Sequence, residues 1–332
     1  MKICVVTTTA LPCPPLQYGG VERTAHWVSR GLAERGHDIT LMAKEGSYTP
    51  PSGRLIVMDD EHHSPQYSDL LESECKQDVY IDVTHDHRLS IERPTLKVLN
   101  NLQVMSLMGD GKNLVLISHG QWREKFSWVK EAEVIYQPIS LDEMKFYAGP
   151  RDNQIVYLGQ RICEKRLEWA MELAIRTNTP LKTYSPGWGD ADYHAMLYKM
   201  RDEHPDLISI ESDIGGDEKL YIIQHAKALI HPVGANNWSE AGAIIVLEAL
   251  ACGTPCITTR NGCLPEYIRE DTFNGFLCDS VDDMVVALNN IADISPLNCR
   301  QSVERFDYRR AAETWELLCR RVSEGETWNV PK

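Results

Sequence analysis

The sequence lacks the features of a membrane-spanning or fibrous protein. It contains no apolar run near the ~20 residues that cross a bilayer and no short-period repeat. No extended apolar stretch follows Met1 and Lys2, so we expect no secretory signal and a cytoplasmic location. With 332 residues, 43% of them hydrophobic and 25% charged, the composition is that of a globular protein. Its length predicts about two domains.

Paired cysteine motifs are also missing. The chain has ten cysteines, but no Cys-x-x-Cys pair of the kind that holds zinc occurs among them. Cys4, Cys252 and Cys256 lie within apolar segments, where a thiol packs as a small hydrophobic group. We therefore expect reduced thiols and no structural zinc site.

Positive charge is scarce. The 34 lysines and arginines face 48 aspartates and glutamates, which gives a formal net charge of −14. Binding to a polyanion by counterion release requires clustered cations, and the sequence shows no basic stripe. General nucleic-acid binding is therefore disfavoured, although a local basic patch is compatible with the sequence.

Short apolar strands alternate with helical periodicity in the first half. Residues 3–7 form a β-branched run, and a loop rich in proline and glycine follows. Apolar residues then recur at helical spacing over residues 21–32, and Gly36 ends this predicted helix. With the run 39–42 they make a βαβ unit, the crossover that parallel sheets need. Further strands are predicted at 55–58, 79–83, 96–99, 114–118 and 134–136.

A second series of the same kind follows a polar segment, residues 142–153, where we place the linker. Predicted strands lie at 154–158, 181–184, 208–211, 228–231 and 255–259, and predicted helices at 166–177, 219–226, 243–252 and 309–322. The sequence thus predicts an α/β protein with two Rossmann-like, doubly wound domains, residues 1–148 and 149–313.

The strongest chemical signal is a pair of glutamates eight residues apart. Glu240 precedes a predicted helix, and Glu248 lies two turns into it among apolar neighbours. A carboxylate in so apolar a helix must find partners, and one near a helix N-terminus is stabilised by the helix dipole. Both can accept hydrogen bonds from hydroxyl groups, so the pair suits a polyol ligand. The alternative, a solvated cap and a solvated helix face, is weak for Glu248.

With its surroundings, this pair resembles the retaining family 4 glycosyltransferases of the GT-B fold, also called glycosyl transferases group 1. Glu240 and Glu248 match the E-x7-E signature, and residues 248–255 match the EA-x-A-x-G-x-P stretch that follows it. Other family motifs are matched in the right order by residues 18–23, 82–87, 157–166, 262–266 and 274–276. The resemblance implies two domains facing across a cleft, with the C-terminal helix, 314–332, crossing back to the first.

The resemblance also implies retaining transfer of a sugar from a UDP- or GDP-hexose, without a metal or other cofactor. Glu248 would hold the ribose hydroxyls and Glu240 those of the sugar, while Arg161 and Lys165 would grip the departing diphosphate. His87 would lie near the transferred sugar, the alternative being a surface-loop histidine. The remaining implied donor-binding residues are Gly19, Gly20, Gly159, Gly242, Ala243 and Ile244.

Two further features can be interpreted from the residues alone. A glycine pair at a helix N-terminus, as at Gly19 and Gly20, lets backbone N–H groups reach a phosphate, although an ordinary tight turn explains it equally well. Asp190-Ala191-Asp192 has the Asp-x-Asp form of metal sites in the other large glycosyltransferase fold. Since it stands before a helical stretch, we expect it to be an N-cap.

Other functions stay open. The family's x-Phe-Gly-Leu after the first glutamate is replaced by residues 241–244, Ala-Gly-Ala-Ile, which favours as an alternative a catalytically weak nucleotide-sugar or glycan-binding protein. A Rossmann oxidoreductase is disfavoured because no Gly-x-Gly-x-x-Gly follows a strand. A transferase that acts on DNA bases is disfavoured by the negative net charge.

Expected partners are a nucleotide sugar and a glycan, lipid-linked or small-molecule acceptor, with weak peripheral membrane contact allowed. A monomer or homodimer is expected, and nucleic acid is not.

Overall fold

Two parallel sheets organise the chain in a computed structural model, which describes residues 1–58, 75–84, 93–100, 111–269 and 271–328. One compact unit comprises Met1–Pro138 and Phe306–Lys332, and the other comprises Ile139–Arg305. The prediction of an α/β protein with two Rossmann-like halves is confirmed. Within the described ranges, no helix is long and apolar enough to cross a bilayer.

The first unit has a seven-stranded parallel sheet. Its strands are β1 (Lys2–Val6), β2 (Asp38–Lys44), β3 (Gly53–Met58), β4 (Val79–Asp82), β5 (Thr95–Leu99), β6 (Leu114–Leu116) and β7 (Glu133–Val134). Their order across the sheet is β3-β2-β1-β4-β5-β6-β7. The helices described in this unit are α1 (Gly20–Glu34), α2 (His119–Lys125) and the C-terminal helix α10 (Tyr308–Ser323). Strands such as β1 are continuous apolar runs because a parallel sheet is covered on both faces.

The second unit has a six-stranded parallel sheet of order β10-β9-β8-β11-β12-β13. Its strands are β8 (Ile155–Leu158), β9 (Leu181–Ser185), β10 (Ile208–Ser212), β11 (Ala228–His231), β12 (Cys256–Thr259) and β13 (Gly275–Cys278). Its helices are α3 (Leu167–Thr177), α4 (Ala191–Glu203), α5 (Gly216–His225), α6 (Ile244–Ala251), α7 (Leu264–Tyr267), α8 (Val281–Asn289) and α9 (Pro296–Ser302).

The chain passes between the units earlier than the predicted boundary at 148. Two arginines bind the polar segment after Pro138 to the second unit by donating to backbone carbonyls. Arg151 donates to the carbonyls of Tyr147, Gln224, Ala226 and Gly253, and Arg300 to those of Leu141, Met144 and Ala251. The segment that composition suggested as a linker is therefore part of the second unit.

The C-terminal helix belongs to the first unit from its first residue. The ring of Tyr308 stacks on Trp27 of α1 at 4.8 Å between centroids, and the Tyr308 hydroxyl donates to the Glu34 carboxylate. A Cβ on Gly31 would lie 2.7 Å from Cβ of Ala312, so the absence of a side chain allows α1 and α10 to approach closely. The change of unit falls at residue 306, before the predicted 314.

The ten thiols are unpaired, and nine of them are buried. Cys4, Cys252 and Cys256 are among the fully buried residues, which confirms that they pack as small hydrophobic groups.

The strand order of each sheet indicates where a ligand can bind. Ligands of open parallel sheets bind beyond the carboxyl ends of strands, where successive connections leave in opposite directions. In the second unit this switch point lies between the neighbouring strands β8 and β11. In the first unit it lies between β1 and β4. The loops that follow these four strands are therefore the candidate site segments.

Candidate functional site

A buried ion pair lies at the switch point of the second sheet. Lys165 ends the 3-10 turn Cys163–Lys165, which follows β8, and its ammonium donates to Oε2 of Glu240 in the loop after β11. The Lys165 and Glu240 side chains are 12% and 7% exposed. Because a buried charge needs a partner, the Lys165 ammonium compensates the Glu240 carboxylate in the interior.

His231, the last residue of β11, completes a three-residue cluster. Its Nε2 lies 3.7 Å from the same Oε2 of Glu240. Burial lowers the pKa of His231, Lys165 lowers it further, and Glu240 opposes the shift. The imidazole is therefore neutral at physiological pH.

Glu240 is a carboxylate at every physiological pH. Burial alone would raise the pKa of its carboxyl, but the Lys165 ammonium and His231 outweigh burial and lower that pKa to about 2. We call Lys165, His231 and Glu240 the charge cluster.

The turn after β12 fixes the backbone of Glu240. Oδ1 of Asn261 accepts from the Glu240 amide at 2.7 Å, and the Cys263 amide donates to the Glu240 carbonyl at 2.8 Å. Between them Gly262 has φ +50°, and a Cβ there would lie 2.0 Å from the Glu240 carbonyl oxygen. Only glycine fits this close approach.

We expect Gly262→Ala to lower thermal stability and activity much more than Gly216→Ala. Both glycines have left-handed backbones, φ +50° and +55°, so each alanine carries a similar strain of about 1–2 kcal/mol. A Cβ at Gly216, however, meets no atom within 4 Å. Thermal unfolding and turnover of both variants measure the difference, and equal losses would contradict the role of Gly262.

The two loops at the switch point are bound to each other. The Gly234 amide donates to the Glu164 carbonyl at 2.9 Å, and Nη2 of Arg166 donates to the Gly234 carbonyl at 3.1 Å. The Lys165 ammonium also lies 5.6 Å from the ring centroid of Trp238, a cation–π distance. The loop after β8 and the loop after β11 thus form one assembly around the charge cluster.

Glu248 lies in the middle of α6 and is 2% exposed. Its carboxylate forms an ion pair with the ammonium of Lys219, on α5, at 2.5 Å. The prediction that Glu248 must find a partner is confirmed, and Lys219 is that partner. Ala243, which follows Gly242, is the N-cap of α6, and Ile244 is the first helical residue. The helix therefore starts one residue after the predicted position, 243.

Arg161 and Lys165 have different partners. The buried guanidinium of Arg161 lies against Tyr198 on α4, with Nη1 3.5 Å from the hydroxyl and Cζ 5.9 Å from the ring centroid. Gly159, directly after β8, donates its amide to the Tyr184 carbonyl. The joint grip of Arg161 and Lys165 on a diphosphate stays a prediction.

The glycine pair lies at the start of α1, as predicted. Gly19 is the N-cap with φ +144°, and a Cβ there would lie 2.7 Å from the ring of Pro15. Gly20 is the first helical residue. The amides of this first turn have no partner within the helix and can bind an anion. His87 lies outside the described residues.

Asp190 is a helix cap, which confirms the interpretation of the Asp-x-Asp sequence. Its Oδ1 accepts from the amides of Asp192 and Tyr193, at 2.9 and 3.0 Å, at the start of α4. Over the ranges that the structure describes, no three His, Cys, Asp or Glu side chains converge as metal ligands would.

Three site residues were missed from the sequence. His231 ends an apolar strand at the carboxyl edge of the sheet, which is a signal that a polar residue serves a site. Lys219 is the cation that the apolar surroundings of Glu248 require, but its sequence position gives no sign of the pairing. Asn261 precedes Gly262, and this Asn-Gly step after a strand was the available signal.

Solved structures of other proteins define the fold. AviGT4, a glycosyltransferase involved in avilamycin A biosynthesis, superposes with a TM-score of 0.83 at 21% identity over 99% of each chain. HepE of Anabaena, crystallised with UDP and glucose, superposes with a TM-score of 0.76 at 11% identity over 95% of this chain and 98% of HepE. The chain therefore has the GT-B glycosyltransferase fold, as predicted.

Sequence comparison places a known domain in the second unit. Residues 213–305 match the family Glycosyl transferases group 1, and this segment carries His231, Glu240, Glu248 and Asn261. N-acetyl-alpha-D-glucosaminyl L-malate synthase of Bacillus anthracis is 49% identical over 49 residues, which are 14% of this chain and 12% of that protein's length. The chain thus contains a group 1 glycosyltransferase domain.

Proposed function

We propose that the protein is a retaining glycosyltransferase of the E-x7-E type of family 4. It transfers a hexose from UDP or GDP to a glycan, lipid-linked or small-molecule acceptor. The observation that carries the proposal is the charge cluster, which lies at the switch point of the second sheet and includes Glu240 from the group 1 domain. HepE, with the same fold, binds UDP and glucose, which supports a UDP-hexose donor.

Glu240 offers one carboxylate oxygen to the sugar. Oε2 is engaged by Lys165 and approached by His231. Oε1 accepts no hydrogen bond from any residue in the described part of the chain. A sugar hydroxyl that donates to Oε1 would form a charge-assisted hydrogen bond, which is stronger than one to a neutral acceptor.

Lys165 and Arg161 stabilise the leaving diphosphate in this proposal. Cleavage of the sugar–phosphate bond leaves negative charge on the diphosphate, and preorganised cations stabilise that charge in the transition state. Lys165 supplies a point charge and Arg161 a planar fork for two oxygens. With these cations, assisted by the amides at the start of α6, the reaction needs no divalent metal. The acceptor hydroxyl attacks from the face that the diphosphate leaves and gives its proton to the departing diphosphate oxygen, so the anomeric configuration is retained.

Glu248 holds the ribose hydroxyls in this proposal, beside its ion pair with Lys219. We expect Glu248→Ala to weaken binding of free nucleoside diphosphate by about 2–4 kcal/mol, because two charge-assisted hydrogen bonds are lost. Glu218→Ala is the control, since Glu218 is an exposed acid one residue from Lys219. Calorimetric titration with UDP and GDP measures both variants, and an unchanged affinity in folded Glu248→Ala would contradict the assignment.

Release of nucleoside diphosphate tests the proposed function. The protein is incubated with UDP-, GDP- and ADP-linked sugars in excess EDTA, and we expect slow donor hydrolysis that persists without free metal. Thermal stabilisation by a nucleotide sugar without any release would favour the alternative, a nucleotide-sugar-binding protein. Activity that is abolished by EDTA and restored by Mn²⁺ would contradict the metal-independent mechanism.

A further inference from the structure

His231 is buried without a conventional partner. It is 3% exposed, and neither ring nitrogen forms a hydrogen bond with any residue that the structure describes. Its Nε2 stops 3.7 Å from Oε2 of Glu240, which is longer than an ordinary hydrogen bond. Buried polar groups are nearly always satisfied in proteins, so an imidazole in this position requires an explanation.

The explanation lies in the oxygen that His231 shares with Lys165. The Lys165 ammonium binds Oε2 of Glu240, and Nε2 of His231 faces the same oxygen. If the Lys165 ammonium turns to a donor diphosphate, Oε2 loses its cation. Nε2 of His231 then lies 3.7 Å from Oε2, and with the ring proton on Nε2 a shift of less than 1 Å would complete the hydrogen bond.

The charge state of His231 suits this role. The charged groups that face it are Lys165, from the loop after β8, and Glu240, from the loop after β11. Its register neighbour on β12 is the uncharged Thr258. A neutral imidazole can donate a hydrogen bond to Glu240 without adding a second cation that would compete with Lys165 for the diphosphate.

We propose that His231 is a positioning residue, which holds Oε2 of Glu240 while Lys165 binds the diphosphate and so keeps Oε1 aimed at the donor sugar. The inference rests on the proposed function and adds to it a residue that acts through Glu240. It also explains why a histidine, and not an apolar residue, ends β11.

Two substitutions of His231 separate positioning from packing. His231→Phe keeps a buried ring without a donor, whereas His231→Asn keeps a side-chain N–H. We expect His231→Phe to lower kcat by about 10–100-fold, the loss that is typical when a metal-ligating side chain loses its orienting partner, with unchanged UDP affinity. His231→Asn should recover most of that loss. His225→Phe is the control, because His225 precedes β11 at the opposite edge of the sheet.

Full kcat in His231→Phe, or equal losses in His231→Phe and His231→Asn, would overturn the inference. The proposed function fails separately, if the unaltered protein does not turn over any nucleotide sugar. A second readout needs no turnover: in ¹⁵N spectra of the histidine rings we expect a neutral His231 with its proton on Nε2 and a response to Glu240→Gln. A His231 signal that is unchanged by Glu240→Gln would also overturn the inference.

Discussion

Lys165→Met is expected to lower the free energy of unfolding by about 3–5 kcal/mol, because it leaves the Glu240 carboxylate buried without its cation. Methionine fills a similar volume, so the loss reports the charge and not a cavity. Adding Glu240→Gln to Lys165→Met removes the uncompensated charge, and we expect the double variant to be more stable than the single one. Turnover should stay low in both variants.

The stability of Lys165→Met is compared with that of Lys199→Met. Lys199 lies on α4 with its side chain 78% exposed, so its loss should change the free energy of unfolding little. Denaturant unfolding of the two single variants and the double variant gives the comparison. A Lys165→Met variant as stable as Lys199→Met, or a double variant less stable than Lys165→Met, would show that the ion pair does not stabilise the site.

Glu240→Gln is expected to lower turnover by roughly 10²–10³-fold, the cost typical of removing one preorganised transition-state contact. Glutamine keeps the shape of the side chain but loses the negative charge that a sugar hydroxyl donates to. Binding of free UDP or GDP should be retained, since Glu240 is proposed to touch the sugar and not the nucleotide. Loss of nucleotide binding together with turnover would show that the layout of the site is different.

The same variant has an expected pH dependence. The pKa of the Glu240 carboxyl is about 2 in the folded protein and near 4.5 when unfolded. The contribution of Glu240 to stability is therefore complete above pH 4.5 and is lost as the pH falls toward 2. In Glu240→Gln this part of the stability–pH curve should flatten. A curve that keeps the slope of the unaltered protein between pH 4.5 and 2 would contradict the lowered pKa.

Much of the fold could be predicted because parallel strands are continuous apolar runs. The predicted strands 79–83 and 228–231 match β4 and β11 closely. The predicted strand 114–118 ends earlier, at Leu116, because Ser118 is the N-cap of α2 and accepts from the Gln121 amide. That cap competes with the strand, and the apolar run alone does not show it.

The compact units meet at residue 138, and not at the predicted 148, for a different physical reason. Composition distinguishes polar from apolar segments, but it does not show which carbonyls a distant arginine will bind. Arg300 reaches back more than 150 residues to Leu141 and Met144, and this long-range contact decides the unit to which the segment belongs.

The site could be predicted as far as local chemistry determines it. The apolar neighbours of Glu248 required a partner, and the resemblance indicated that Lys165 and Glu240 serve one site. The identity of Lys219 depends on how α5 packs beside α6, which no local pattern encodes. His231 lies nine residues before Glu240, and the fold of the loop after β11, held by Asn261, brings the two side chains together.

A crystal structure with a bound nucleotide sugar tests most directly the claim that the charge cluster holds the donor sugar. The account predicts a sugar hydroxyl within hydrogen-bond distance of Glu240 Oε1, the Lys165 ammonium on the diphosphate, and His231 Nε2 within hydrogen-bond distance of Oε2. A donor bound with its sugar away from Glu240, and with the ion pair between Lys165 and Glu240 unchanged, would contradict it.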